Sequence, residues 1–311
     1  MEIKLRKINI KYVLTAPISH IGEVASTGAY FNTVKTSTGR LPVITGNSIR
    51  GQIRDAGASE LLSRLGQQVD KEIFHVLFSG GNVSASMRDD IARAIEIREH
   101  FPLVSLLGGA LGTMIMGGKL LCGFAYPVCR ESQDITGIVS GVSWHELIDE
   151  IEFTRVDDAK NDRLAQIISD VNAETSGQAS QQMRYSVQYM APGTEFMQCM
   201  TLLPGVTDAE IGALMSAMAW WWSTAPRLGG MGAKGFGAFD ALANMDGNDV
   251  IEVRDGKCTC NGDAEAFINE YRDASADSAQ FMHLLKGGSD NGKKTDKPAK
   301  GRRASSGRED K

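Results

Sequence analysis

The chain has 311 residues, 42% of them hydrophobic and 23% charged, the ordinary composition of a water-soluble folded protein. No apolar run is long enough to span a bilayer and Met1–Arg6 leads straight into strand-like alternation, so neither a membrane partner nor a signal peptide is expected, and a cytoplasmic protein of one large domain or two modest ones is. The net charge of −5 conceals an asymmetry: Lys286–Lys311 carries nine Lys/Arg against four Asp/Glu, leaving 24 cations against 34 acids on the rest, a net of −10, so any nucleic-acid contact has to come from a local basic strip.

Residues 3–15 read as a strand, with Ile3, Leu5, Ile8, Ile10, Tyr12 and Leu14 near period two and one slip near Lys7 that suits a bulge. Ala16 to Arg40 is a long polar loop holding His20, Glu23, Lys35 and several Ser and Thr residues. A loop of that length inside a compact domain is usually functional. Leu41–Ile44 is extended, and a helix then starts with Asn47 or Ser48 as N-cap. Arg50 and Arg54 are four apart and share a face of that helix. Cations so close to a helix N-terminus oppose its dipole unless an anion sits there, which suits phosphate binding by Asn47, Ser48, Arg50, Gly51 and Arg54.

Residues 66–130 read as an insertion, helical over Val69–Leu77 and Ser86–Glu99 and glycine-rich over Leu103–Phe124. A strand-like Ile148–Phe153 precedes a polar arm over 155–184. Residues 185–203 read as one strand kinked at Pro192-Gly193. Thr207-Asp208-Ala209-Glu210 opens an apolar helix ending in Trp220, Trp221 and Trp222, of which one or two should face a partner or the neighbouring insertion. A further strand spans 236–245, a last helix 264–284, and the Gly/Ser/Lys/Arg-rich tail over 286–311 is expected to be disordered.

Between the tryptophan helix and its following strand lies Arg227–Gly237, with five glycines in eleven residues and Arg227 and Lys234 interleaved. Glycine lets another molecule approach the main chain, so Arg227, Gly230, Met231 and Lys234 suit a phosphate backbone. The segment fits G-x-G-x-x-G, but its helix comes before and its strand after, the reverse of a dinucleotide site, and Lys234 is followed by Gly235 rather than by the Ser or Thr of a P-loop. The five cysteines form no C-x-x-C pair and have no His at ligand spacing, so no metal or other cofactor is expected.

The order of elements is strand, loop, helix, insertion, strand–arm–strand, helix, glycine-rich loop, strand. That is an α+β chain with a ferredoxin-like core. With that order the chain resembles the RAMP superfamily of CRISPR proteins, and within it the backbone subunit that polymerises along guide RNA. Three stretches carry the resemblance: Leu41–Arg54, with Gly46-Asn47-Ser48-Ile49-Arg50-Gly51 at the helix start; Arg184–Phe196; and the glycine-rich loop. It looks most like type IV systems, next type III, then type I-D.

The resemblance implies an RNA-recognition-motif-like palm over 1–65, 131–154 and 185–250, an inserted finger region over 66–130, a protruding β-hairpin thumb over 155–184, and a C-terminal helical segment over 251–285. It implies guide RNA (crRNA), bound in part through His20, Arg155, Met183 and Arg184, and target DNA or RNA. It implies further copies of the chain in a head-to-tail filament. It also implies other effector subunits: a large subunit, a handle-capping subunit, a crRNA-processing endonuclease and a DinG-like helicase. Type III relatives cleave target RNA with an Asp in the loop after the first strand; Ile18–Arg40 contains none, so a non-catalytic subunit is expected. The alternative is a ribonuclease acting through the 16–40 loop, with His20 as acid or base, Lys35 or Arg40 stabilising charge, and Glu23 in place of the missing Asp. A third possibility is an interaction module docking through the three tryptophans.

Overall fold

Ile8, Ile10, Tyr12 and Leu14 alternate with Lys7, Asn9, Lys11 and Val13 along β1 (Arg6–Leu14), and every member of the first set is buried. A strand patterned this way has one face on a core and one toward solvent. The computed structural model describes residues 5–24, 28–83, 90–112, 114–155 and 183–286.

After β1 come β2 (Ile21–Val24), β3 (Gly28–Phe31), the hairpin β4 (Thr33–Thr36) and β5 (Gly39–Pro42), and helix α1 (Gly46–Leu65). Next are α2 (Lys71–Ser79), β6 (Gly81–Val83), α3 (Ile91–His100), α4 (Pro102–Leu107), β7 (Gly109–Gly112), β8 (Met114–Met116) and β9 (Leu120–Pro127). Then follow β10 (Ile148–Arg155), β11 (Met183–Met190), β12 (Glu195–Leu202) and the tryptophan helix Asp208–Thr224. The last elements used below are β13 (Phe239–Met245), β14 (Asn248–Arg254), β15 (Lys257–Cys260) and the helix Gly262–Ala274.

The large sheet has the order β15-β14-β13-β1-β12-β9, with every neighbouring pair antiparallel. α1 connects toward β9, and the tryptophan helix connects β12 to β13; both pack on the face that carries Ile8, Ile10 and Tyr12. Trp222 and Tyr12 are fully buried in that layer, with edge-to-face contacts to Phe239 at centroid distances of 6.2 and 5.3 Å. Burial of each such ring contributes roughly 2–3 kcal/mol. Tyr12 also donates its hydroxyl to Gln198 Oε1 at 2.9 Å, which satisfies the one polar atom it brings into the core.

A second sheet, β10-β11-β3-β2, stands apart from the first. A second apolar cluster joins Ala58 and Leu61 of α1 to Ile73, Val76 and Leu77 of α2, Ile97 and Phe101, and Met282, Leu284 and Leu285. The segment after the Gly262–Ala274 helix therefore acts as a strap. Arg93 Nε donates to the Leu284 carbonyl at 2.9 Å, Phe281 stacks on His100 at 3.5 Å, and Lys286 pairs with Asp70 at 2.6 Å.

Several expectations are corrected. β1 pairs with β12 without a register shift, so no bulge lies at Lys7. The N-cap of α1 is Thr45, whose Oγ1 accepts from Ser48 N at 3.4 Å, rather than Asn47 or Ser48. The 16–40 segment carries four short strands. Residues 185–203 are two strands in different sheets, because the Ala191–Thr194 turn sends the chain from β11 across to β12. Within 66–130, β9 is an edge strand of the large sheet. Residues 148–155 and 183–190 pair with each other and with β3, not with the large sheet. Within 251–285, β15 extends that sheet by a hairpin. Trp221 and Trp222 are buried in the core and only Trp220 is partly open. The arm over 156–182 and the tail over 287–311 lie outside the described residues.

Candidate nucleic-acid interface

Three segments distant in sequence meet at the N-terminus of α1. Ile18 bridges Met190 of β11, and Ser19 bridges Gly230 of the glycine-rich loop, with Gly230 N donating to the Ser19 carbonyl at 2.7 Å. His20 Nε2 accepts from Thr45 N at 3.2 Å and lies 3.2 Å from Thr45 Oγ1. An Nε2 that accepts leaves the proton on Nδ1 and the ring neutral. Burial holds the imidazole below its ordinary value, in the same sense. His20 thus pins the loop to the helix start.

The glycine-rich loop is shaped by this approach. At Gly229, φ is 71° and a Cβ would stand 2.4 Å from the Ser19 carbonyl oxygen; at Gly237, φ is 86° and a Cβ would stand 2.1 Å from that of Leu228. Both glycines are required by the fold. Gly230 leaves room for a Cβ at an ordinary 3.8 Å from the Ser19 carbonyl oxygen, Gly235 faces open space, and Met231 between them adopts a left-handed φ of 60°. Arg227 is exposed and donates one guanidinium N–H to the Phe236 carbonyl at 3.0 Å.

Lys234 is exposed at the loop's end, and its ammonium rests on the rings of Phe153 and Tyr185 at 4.8 and 5.0 Å while donating to the Tyr185 hydroxyl. Phe153 and Tyr185 are a cross-strand pair of β10 and β11, stacked with centroids 5.4 Å apart. Exposed contacts of this kind contribute about 0.5–1 kcal/mol each. The sequence names Lys234 but not its two aromatic partners; the alternation of Tyr185, Val187 and Tyr189 marks a strand face without saying what lies on it. Arg184 is exposed on the same hairpin, and Arg155 pairs with Met183 where β10 and β11 leave the described residues.

The helix-start cations are employed differently. Arg50 donates to the carbonyls of Leu120, at 2.9 Å, and of Leu107; Arg54 donates to those of Gly108, at 2.8 Å, and of Leu107. The Leu107 and Gly108 carbonyls close α4, whose C-terminal end carries partial negative charge that offsets two neighbouring cations, while that of Leu120 begins β9. Burial, and secondarily the charge of Arg50, pushes the Arg54 guanidinium down to about 10. Arg50 and Arg54 line a cleft of about 470 Å³ with Asn47, Gly51, Gly80 and Gly118. Asn47 is exposed, and Gly51 has open space where a Cβ would stand.

The other residues of the ribonuclease alternative lie on β2 and on the β4–β5 hairpin. Lys35 and Arg40 pair across the β4–β5 hairpin, whose tip is held by Thr38 Oγ1 donating to the Glu131 carbonyl at 2.9 Å. Glu23 sits on β2 opposite Tyr30. Among the described residues no group of three or more His, Cys, Asp or Glu side chains could hold a metal ion. No helix among them is long and apolar enough to cross a membrane.

The sequence matches the family profile of the RAMP superfamily over residues 12–240. Among solved structures it is similar to a chain of a "Type IV-B CRISPR Complex", with a TM-score of 0.53 at 15% identity, covering 76% of this chain and 90% of that one. No curated protein matches the sequence.

Proposed function

Because the chain belongs to the RAMP superfamily, we propose that it is a non-catalytic backbone subunit of a CRISPR ribonucleoprotein, most similar to those of type IV, which oligomerises along guide RNA and presents it for base pairing with a target. The strand order β13-β1-β12-β9 with two helices on one face supports a ferredoxin-like palm. On this reading the region around α2 to β8 is the finger, and β10 and β11 are the base of the thumb. The observation that carries the proposal is the junction at Ile18, Ser19 and His20, which bridge Met190 of β11, bridge Gly230 of the glycine-rich loop and bond Thr45 at the α1 N-terminus, respectively. Arg227 and Lys234 are exposed on the glycine-rich loop and Arg184 on β11, cations that on this reading supply a local basic strip to an otherwise acidic body. Such a strip binds phosphates without reading sequence, as base pairing to a guide requires. The neutral, hydrogen-bonded His20 suits a positioning contact rather than proton transfer.

The test is to express the chain with a guide-RNA array and its neighbouring genes, then extract and sequence whatever nucleic acid co-purifies. Discrete guide-derived RNA, protected over a length that grows with the number of protein copies, is the expected result. Protein free of nucleic acid, or carrying random fragments, would overturn the proposal.

A further inference from the structure

Among the described residues, the face of the large sheet opposite its helices carries exposed side chains. Lys7, Asn9 and Lys11 of β1 point to it, with Met197 and Cys199 of β12 beside them. At the β9 edge Leu121 is 53% exposed and Phe124 39%. A concavity of about 480 Å³ opens there, lined by Asn9, Phe124, Tyr126, Ile135, Met197 and Cys199. An exposed patch of this apolar character marks a binding surface.

A second apolar surface lies on α3. Ile91 and Ile95, one turn apart on the same side, are 72% and 52% exposed, and Glu96 and Glu99 beside them are exposed too. The opposite side of α3 is fixed, since Ile97 is fully buried and Arg93 is tied to the strap. The helix is therefore a firmly mounted ridge of two isoleucines flanked by two carboxylates. The concavity is a mostly apolar hollow flanked by Lys7 and by Lys11, which pairs with Glu195 at 2.7 Å.

We propose that α3 of one copy docks into the open sheet face of the next, with Ile91 and Ile95 in the hollow at Phe124 and Met197 and with Glu96 and Glu99 facing Lys7 and Lys11. This rests on the oligomeric reading above and names its contact surfaces. The two patches are different surfaces of one chain, so each copy offers one and receives one. Such a heterologous contact builds an open array, or a ring where its rotation closes, rather than a two-fold dimer. The lining combines aromatic, aliphatic and thiol groups and holds no cation, which favours a protein occupant over RNA.

The test uses the full chain on a guide RNA long enough for several copies, with the mass of each assembly measured. Leu121→Glu sets a carboxylate against Glu96 and Glu99, and Ile95→Lys sets an ammonium against Lys7 and Lys11. Each single variant is expected to weaken assembly at least about tenfold while melting within about 2 °C of the parent, both sites being exposed. Both changes in one chain place opposite charges across the contact and are expected to restore assembly. Single variants that assemble like the parent, or a double variant no better than the singles, would overturn the inference. So would loss of binding to an RNA too short for two copies, which would make the open face an RNA surface. A parent chain that binds RNA only as single copies would instead bring down the oligomeric reading itself.

Discussion

His20 Nε2 accepts from the main-chain N–H of Thr45, the residue that caps α1. One imidazole therefore joins the loop after β1 to the helix start, and it does so only when neutral. Because the folded ring sits below the ordinary value of 6.5, its contribution is fully present above that pH and is lost as pH falls from there toward the folded value. His20→Ala should cost about 1 kcal/mol at neutral pH and flatten the acid limb of stability between pH 7 and 5. Melting curves across that range check it. An unchanged acid limb would show that the ring is not held neutral.

Arg54 supplies N–H groups to two carbonyls at the end of α4. Arg54→Ala should destabilise the chain by about 1–3 kcal/mol, and Arg54→Lys should recover only part, since an ammonium cannot reproduce the planar fork. Chemical denaturation measures this. Unchanged stability together with weakened RNA binding would return Arg54 to the phosphate role expected from the sequence.

Lys234 is the reverse case, an exposed cation held by two rings. Lys234→Ala should change stability by no more than about 1 kcal/mol. If its ammonium neutralises one phosphate, the substitution should lower the slope of log affinity against log salt by roughly 0.7. Titrations at several salt concentrations decide it, and an unaltered slope would remove Lys234 from the interface.

Glu210 is 1% exposed and receives Lys119 Nζ at 2.7 and 2.9 Å, the Ser105 hydroxyl, and Thr207 N at 2.9 Å. Lys119→Met would strand a buried carboxylate, at a cost of about 3–5 kcal/mol. Glu210→Gln in the same chain should recover part of that, and the double-mutant cycle gives the coupling. Additive effects would mean that the pair does not interact in solution.

Much of the large sheet was legible because period two is a local signal. The buried set of β1 and the apolar face of α1 follow directly from Ile8, Ile10 and Tyr12 and from Ile49 and Ile53. Which sheet a strand joins is not local, so β10 and β11 could not be separated from β12 in advance. The β13–β14–β15 meander carries a local signal in two Asp-Gly pairs. Asp246-Gly247 and Asp255-Gly256 both have positive φ, at 52° and 99° and at 50° and 73°, the pattern of two-residue hairpin turns. At the candidate site, five clustered glycines pointed to close backbone approach, and Gly229 and Gly237 do approach main chain closely, but that of this protein itself. The partners of Arg50 and Arg54 were illegible because they are carbonyls more than fifty positions away, and a carbonyl has no side-chain signature.

Met282, Leu284 and Leu285 complete the cluster founded on Ala58 and Leu61. A ribosome delivers α1 early and those residues late, so the flank of α1 on that side waits uncovered while most of the chain is made. Long-range closure of this kind is slow and leaves apolar surface exposed in the nascent protein. Truncation just before Ser278 would hold the molecule at that stage, with the large sheet assembled and α2 and α3 lacking their seal.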